Sequence, residues 1–151
     1  MFDLSEKRMV WIPVRWPGVK VADGDAVAEN TEYEIECHVE LLDKIRLREV
    51  FYPERPDDDD PDEEEKAERE VAMFLAVVHD WRKVKNGEAS APFNEANARK
   101  MLLVPMFASG FEDCYIKAWS GQLEIREKNS VGSSATGAAD GRVPKRKARR
   151  R

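Results

Sequence analysis

Two cysteines and two histidines are the side chains in this 151-residue sequence best suited to nucleophilic or metal chemistry. Cys37 and His38 are adjacent, which invites a thiol–imidazole dyad. The residues around them alternate apolar and polar as a strand does, however, and neighbouring strand side chains point to opposite faces. The two then cannot share a proton. His79-Asp80, at the end of an apolar run, fits a surface or capping pair at a helix end. Neither the histidines nor the cysteines show metal-ligand spacing. The run DDDDPDEEE lacks the glycine and the spaced ligands of a calcium loop, so it reads as solvated charge. There is no glycine-rich phosphate loop and no nucleophile elbow. The expectation is a protein that is not an enzyme, with no catalytic residue, no cofactor and no metal.

Charge divides the chain. Its last ten residues, RVPKRKARRR, hold seven bases and no acid, whereas the first 129 hold 18 bases and 29 acids, a net of −11. Residues 53–70 alone carry 11 acids against 3 bases. A basic tail can contact phosphates, but this one has no interleaved aromatics on which bases would stack. A solubilising end, or an intramolecular partner for the acidic stretch, competes with that reading, and nucleic acid is not the expected partner. No apolar run approaches the length of a membrane span, and the N-terminus MFDLSEKRMVW lacks the pattern of a secretory signal. Two cysteines far apart in sequence suit reduced thiols in the cytoplasm.

The elements that must position any site can be read from period and punctuation. In MVWIPVRW, Val10, Ile12, Val14 and Trp16 alternate with Trp11, Pro13 and Arg15, a strand placed at an edge or bulge by Pro13. Pro17-Gly18 and Asp23-Gly24 mark a turn-rich connection. In TEYEIECHVEL, Tyr33, Ile35, Cys37, Val39 and Leu41 share one face, and Glu32, Glu34, Glu36, His38 and Glu40 the other. A short helix follows, capped by Asp43, with Ile45, Arg48, Glu49 and Tyr52 at helical spacing. An acidic linker spans about 53–65, its acids feeding a helix N-terminus from about Asp62. That helix buries Val71, Phe74, Leu75, Val78 and Trp81. Asn86-Gly87 gives a turn, Asn94 an N-cap with Phe93 as half of a hydrophobic staple, and Glu95 starts a helix running to about Leu103 that buries Ala98, Met101 and Leu102. Pro105 fits the first turn of a further helix, on which Phe107, Phe111, Cys114, Tyr115, Ala118 and Trp119 form one wide face. Gly110 in that helix permits close packing. The expected fold is α+β: an N-terminal antiparallel hairpin or small sheet on a bundle of three to four helices, forming one domain over 1–129. Residues 130–151 form a flexible linker and a basic disordered tail.

The order VWIPVRWP, then YEIECHVELLDKIRLREVF, then FLAVVHDWRKVKNGEASAPFNEANARKMLLVPMF, with YIKAW and REKN beyond, resembles the tail assembly chaperones of long-tailed bacteriophages. Its most specific part lies between Trp81 and Lys128. Trp81 with Val84, Asn86-Gly87, Pro92-Phe93, Asn94-Glu95, Pro105, Tyr115 with Trp119, and Lys128-Asn129 match the family's order of features.

The resemblance implies a non-enzymatic factor of virion assembly in the host cell cytoplasm. Such a protein coats the tape measure protein, keeps it soluble, helps recruit the major tail protein, and is absent from the mature virion. Many members are made in two lengths by programmed frameshift, for which the segment from Ser130 onward is a suitable junction. The expected partner-binding residues are Trp81, Val84, Phe93, Phe107, Phe111, Tyr115 and Trp119. An aromatic stripe on a helix is also what a buried core looks like. Two alternatives stand beside this reading: a structural tail or neck protein resembling a tail terminator, and a small nucleic-acid-associated regulator using the basic tail.

Overall fold

A computed structural model describes residues 1–20, 24, 27–54 and 60–122. Strand β1 (Met9–Lys20) pairs antiparallel with β2 (Glu29–Glu40) without interruption, from Met9 opposite Glu40 to Lys20 opposite Glu29. The alternation sorts as its period requires: Ile12, Val14 and Trp16 of β1 and Ile35, Cys37 and Val39 of β2 are buried, and the residues between them are not. A third strand, β3 (Val78–Arg82), pairs antiparallel with the other side of β2, so the sheet order is β1-β2-β3 and β1 is an edge.

Pro17 and Gly18 belong to β1 rather than to a turn, facing Glu32 and Thr31. Two causes keep them in the ladder. Pro13 and Pro17 lie an even number of residues apart on an edge strand, where a ring nitrogen turned outward removes no ladder bond. Gly18 lies beneath the ring of Tyr33, which covers the space a side chain would take, and the Tyr33 hydroxyl donates to the Val19 carbonyl at 3.2 Å.

Helix α1 (Lys44–Phe51) is capped by Asp43, whose side chain accepts from the Arg46 N–H. Its buried residue is Leu47, and Ile45 is 73% exposed. The face expected from Ile45 and Tyr52 is therefore turned to solvent. The ring of Phe51 stacks on Tyr115 at 4.9 Å and sets the rotation of the helix. Helix α2 (Glu63–Val77) starts at an Asp62 cap with Glu63, Glu64 and Glu65 in its first turn, where negative charge is favoured. The linker expected to reach residue 65 thus ends at Asp62; residues 55–59 of it lie outside the described residues.

The largest departure comes at the end of α2. Val71, Met73, Phe74 and Val77 are buried along it, but Val78 and Trp81 are strand residues of β3 and not part of the helical stripe. His79-Asp80 accordingly lies within a strand and not at a helix end. A β-branched pair, Val77-Val78, stops the helix where pairing with β2 offers its backbone another set of hydrogen bonds.

A small hairpin, β4 (Lys85–Asn86) with β5 (Ala89–Ser90), turns at Gly87, whose φ of +70° suits glycine. Trp81 closes this excursion by donating its indole N–H to the Ala91 carbonyl at 2.8 Å. Asn94 caps helix α3 (Glu95–Leu102) through the Asn97 N–H, with Ala98 buried. Helix α4 (Phe107–Trp119) begins two residues after Pro105. Pro105 is not in its first turn. It is the second residue of a tight turn in which the Val104 carbonyl accepts from the Phe107 N–H at 3.2 Å, and the third residue, Met106, has φ 68° and ψ −4°. Those are type II angles, which fit proline in the second position and usually glycine in the third.

Helix α4 crosses β1 at Gly110. A Cβ there would lie 2.5 Å from the Arg15 carbonyl oxygen and 2.9 Å from Trp16 Cβ. The approach lets Phe107, Phe111 and Tyr115 be fully buried, with Phe74 of α2 meeting Phe111 edge-on at 4.9 Å. Further along α4, the Tyr115 hydroxyl donates to the Glu40 carbonyl at 2.7 Å and accepts from the Leu42 N–H at 3.0 Å. The Trp119 indole donates to the Leu42 carbonyl at 2.7 Å. These bonds fix the corner between β2 and α1. The tail over 130–151 lies outside the described residues.

Two substitutions test this packing. Alanine normally gains about 1 kcal/mol over glycine inside a helix, but Gly110→Ala should lose about 1–3 kcal/mol because backbone occupies the space. A higher urea midpoint for this variant would contradict the close approach. Tyr115→Phe keeps the ring and leaves two buried backbone groups without partners, so it should cost about 1–3 kcal/mol in the same assay.

Candidate functional site

The residues suited to chemistry are kept apart. Cys37 faces the core with no exposure, and burial pushes its thiol up, with Cys114 adding to the effect. His38, on the opposite face, stacks on Trp11 at 4.8 Å, and the guanidinium of Arg82 lies 3.5 Å from the centre of that tryptophan ring. His79 faces Glu40 at 3.6 Å, while Asp80 accepts from the Trp81 backbone N–H. Among the described residues no group of three or more His, Cys, Asp or Glu is placed to hold a metal ion.

The seven aromatic and aliphatic residues expected to meet a partner divide into three sets. Trp81, Phe107, Phe111 and Tyr115 are buried and hold the domain together, so they do not form a surface. Phe93 packs edge-on against Trp81 at 5.2 Å, and Trp119 is committed to the corner at Leu42. Both are only partly accessible. Val84 alone of the seven lines an open depression.

That depression is a groove of about 1060 Å³ at the end of the sheet distant from the Tyr115 corner. Its floor is Trp16, Pro17 and Ile35. One wall is the 83–85 segment leaving β3, and the other is the last turn of α3 at Met101 with the turn that follows it, at Val104, Pro105 and Met106. Tyr33 is 41% exposed, Val19 54%, Val104 37% and Met106 55%, and all four line it. Clustered exposed apolar side chains of this kind mark interaction surfaces in ordinary folded domains. The charged residues in the lining are Lys83, Lys85 and Glu34.

Three local departures from ordinary structure meet in the same groove. Among the described residues, Lys83 (φ 67°) and Met106 (φ 68°) are the non-glycine residues with left-handed backbone, and both are in the lining. Such backbone costs an L-residue about 1–2 kcal/mol and concentrates where a surface is shaped for a task. The third is Trp16, whose buried indole N–H has no acceptor among the described residues. It also lines the groove, and its ring meets Phe107 edge-on at 4.9 Å.

A second cleft, of about 660 Å³, lies between α1, α2 and α4. It is smaller and more charged, with Glu49, Lys66, Arg69, Glu70 and Glu112 in its lining. Burial there holds the Glu70 carboxyl above the usual carboxylate range, with Glu112 adding to it.

No protein-family model, no curated protein and no solved structure matches the chain. The groove must therefore be read from its own residues.

Of the residues that line the groove, Val84 is the one expected from the sequence to meet a partner, through its place beside Trp81 in the resemblance. The groove joins segments 16–19, 30–35, 83–85 and 101–106, whose meeting depends on long-range contacts. One local signal was available: MLLVPMF is apolar throughout, yet proline divides it, and seven such residues cannot all face one core.

The strain at Met106 can be measured. Met106→Gly should raise stability by about 0.5–1 kcal/mol, the relief of a left-handed L-residue less the added chain entropy of glycine. Thermal unfolding checks this, and a loss of similar size would contradict the type II turn.

Proposed function

We propose that this chain is a tail assembly chaperone of a long-tailed bacteriophage. It is a non-enzymatic protein that binds the tape measure protein in the host cell cytoplasm, keeps it soluble and helps recruit the major tail protein around it. The observation that carries the reading is the open apolar groove, in which Tyr33, Val84, Val104 and Met106 gather. Support comes also from the order of features between Trp81 and Lys128, which resembles that family, and from the separation of Cys37 from His38.

The physical requirements of such a task match this surface. A tape measure protein is long and helical, and an amphipathic helix needs its apolar side covered until assembly. A groove that is open, apolar and of modest size holds such a side without enclosing it, which suits a binder that must later leave. The acidic body, a net of −11 over the first 129 residues, opposes self-association at high copy number.

Co-expression with a tape measure protein from the same genome should raise the soluble fraction of that protein and yield a complex on affinity purification. Mass spectrometry of purified virions should find the chain missing. Neither co-purification nor a solubility gain, or a stoichiometric presence in virions, would overturn the proposal; the last result would favour the structural tail or neck protein.

A further inference from the structure

We infer that the partner segment seated in the groove is an amphipathic helix carrying an acidic flank, its apolar stripe on Val84, Val104 and Met106 and a flanking carboxylate on Lys85. This rests on the reading of the groove as the binding site and adds the chemistry of what it binds.

Backbone hydrogen bonding selects a helix over an extended segment. An extended chain laid in the groove brings unpaired N–H and C=O groups, which need a strand edge to receive them. β1, an edge strand, lines the groove over residues 16–19, and Pro17 within that stretch has no N–H to give, so a ladder laid along it is interrupted. Pro13 repeats that gap further along the same edge. A helix brings its backbone already satisfied and asks the groove only for apolar contact. The wall supplies that contact through Val84, Val104 and Met106. The volume of about 1060 Å³ is at the top of the roughly 300–1,000 Å³ range of small-molecule sites and suits one side of a helix.

Charge selects the flank. The body is acidic, yet the groove lining holds two lysines and one glutamate. That glutamate, Glu34, takes the Arg15 guanidinium at 2.6 Å. Lys83 is shared between Glu36 at 3.5 Å and Glu34 at 4.0 Å. Lys85 has no carboxylate partner among the described residues. Among the described residues the groove therefore presents one cation without a carboxylate partner, Lys85 at its rim, and an acidic flank complements it, whereas a basic flank meets two lysines.

The test uses the full chain, isotope-labelled for amide spectra, and three synthetic peptides. Two are helical with the same leucine stripe and carry either glutamates or lysines beside it. The third has the glutamate composition with central prolines that prevent a helix. The glutamate helix should move the signals of Tyr33, Val84 and Met106 and bind about three- to fivefold more tightly than the lysine helix at low salt, and the proline peptide should not bind there. Since residues 142–151 carry seven bases that also attract acidic peptides, Lys85→Glu decides the point: it should cancel or reverse the preference at the groove signals. Equal groove binding of both helices, a preference unchanged by Lys85→Glu, groove binding by the proline peptide, or no groove binding at all would each overturn the inference. If tape measure protein is solubilised and the flanks make no difference, only this inference fails. If the glutamate helix binds as stated and no tape measure complex forms, the chaperone reading fails and the groove chemistry stands.

Discussion

The close approach of α4 to β1 at Gly110 is the contact on which the rest of the structure depends. With no side chain at that position, helix backbone lies against the Arg15 carbonyl and Trp16 Cβ. Everything on either side follows from that distance. Toward the helix C-terminus, Tyr115 and Trp119 come within hydrogen-bonding reach of Glu40 and Leu42 and hold the corner where β2 gives way to α1. In the middle, Phe107 and Phe111 reach Phe74, which joins α2 to the same core. Toward the N-terminus, the turn over 103–106 is carried past the end of the core and left beside Trp16 and Pro17. A larger residue at 110 would lift the helix and change all three at once. The groove is thus a product of the same packing that buries the aromatic face.

Local patterns in the sequence were read correctly wherever one residue's chemistry decides the outcome. Asp43 and Asn94 each cap the helix that follows, as expected, because a short side-chain acceptor beside free N–H groups has few competing roles; Asp62, expected only to begin the acids feeding a helix start, caps α2 in the same way. The faces of β1 and β2 followed from a period of two. The failures occurred where two structures satisfy the same pattern. The apolar run through Val78 fits a buried helix or a buried strand equally well, and only the free side of β2 decides for β3. Pro105 suits a first helical turn or the second position of a type II turn, and Met106 gives no sign of the left-handed backbone it adopts. The candidate site was hardest to see. Aromatic residues at helical spacing drew attention to Phe107, Phe111 and Tyr115, which the core consumes, while the exposed apolar residues are gathered from segments far apart in the chain.

The division of labour between buried and exposed apolar residues bears on function. The aromatic face of α4 gives the domain its rigidity, and the smaller residues of the 101–106 turn, with Tyr33 and Val84, give it an open surface. A binder that must later release its partner needs that separation, since a surface borrowed from the core would expose the core on release. The charges are arranged to the same end, with an acidic body around a groove in which Lys85 has no carboxylate partner among the described residues.

Site-specific photo-crosslinking tests the central claim, that the groove holds the tape measure protein, most directly. A benzophenone side chain placed at Val104, in the groove wall, or at Trp11, on the opposite face of the sheet, would be irradiated in cells that also express that protein. The account predicts a crosslinked product from position 104 and little from position 11, with both variants folded. Crosslinking from position 11 with none from position 104 would contradict it.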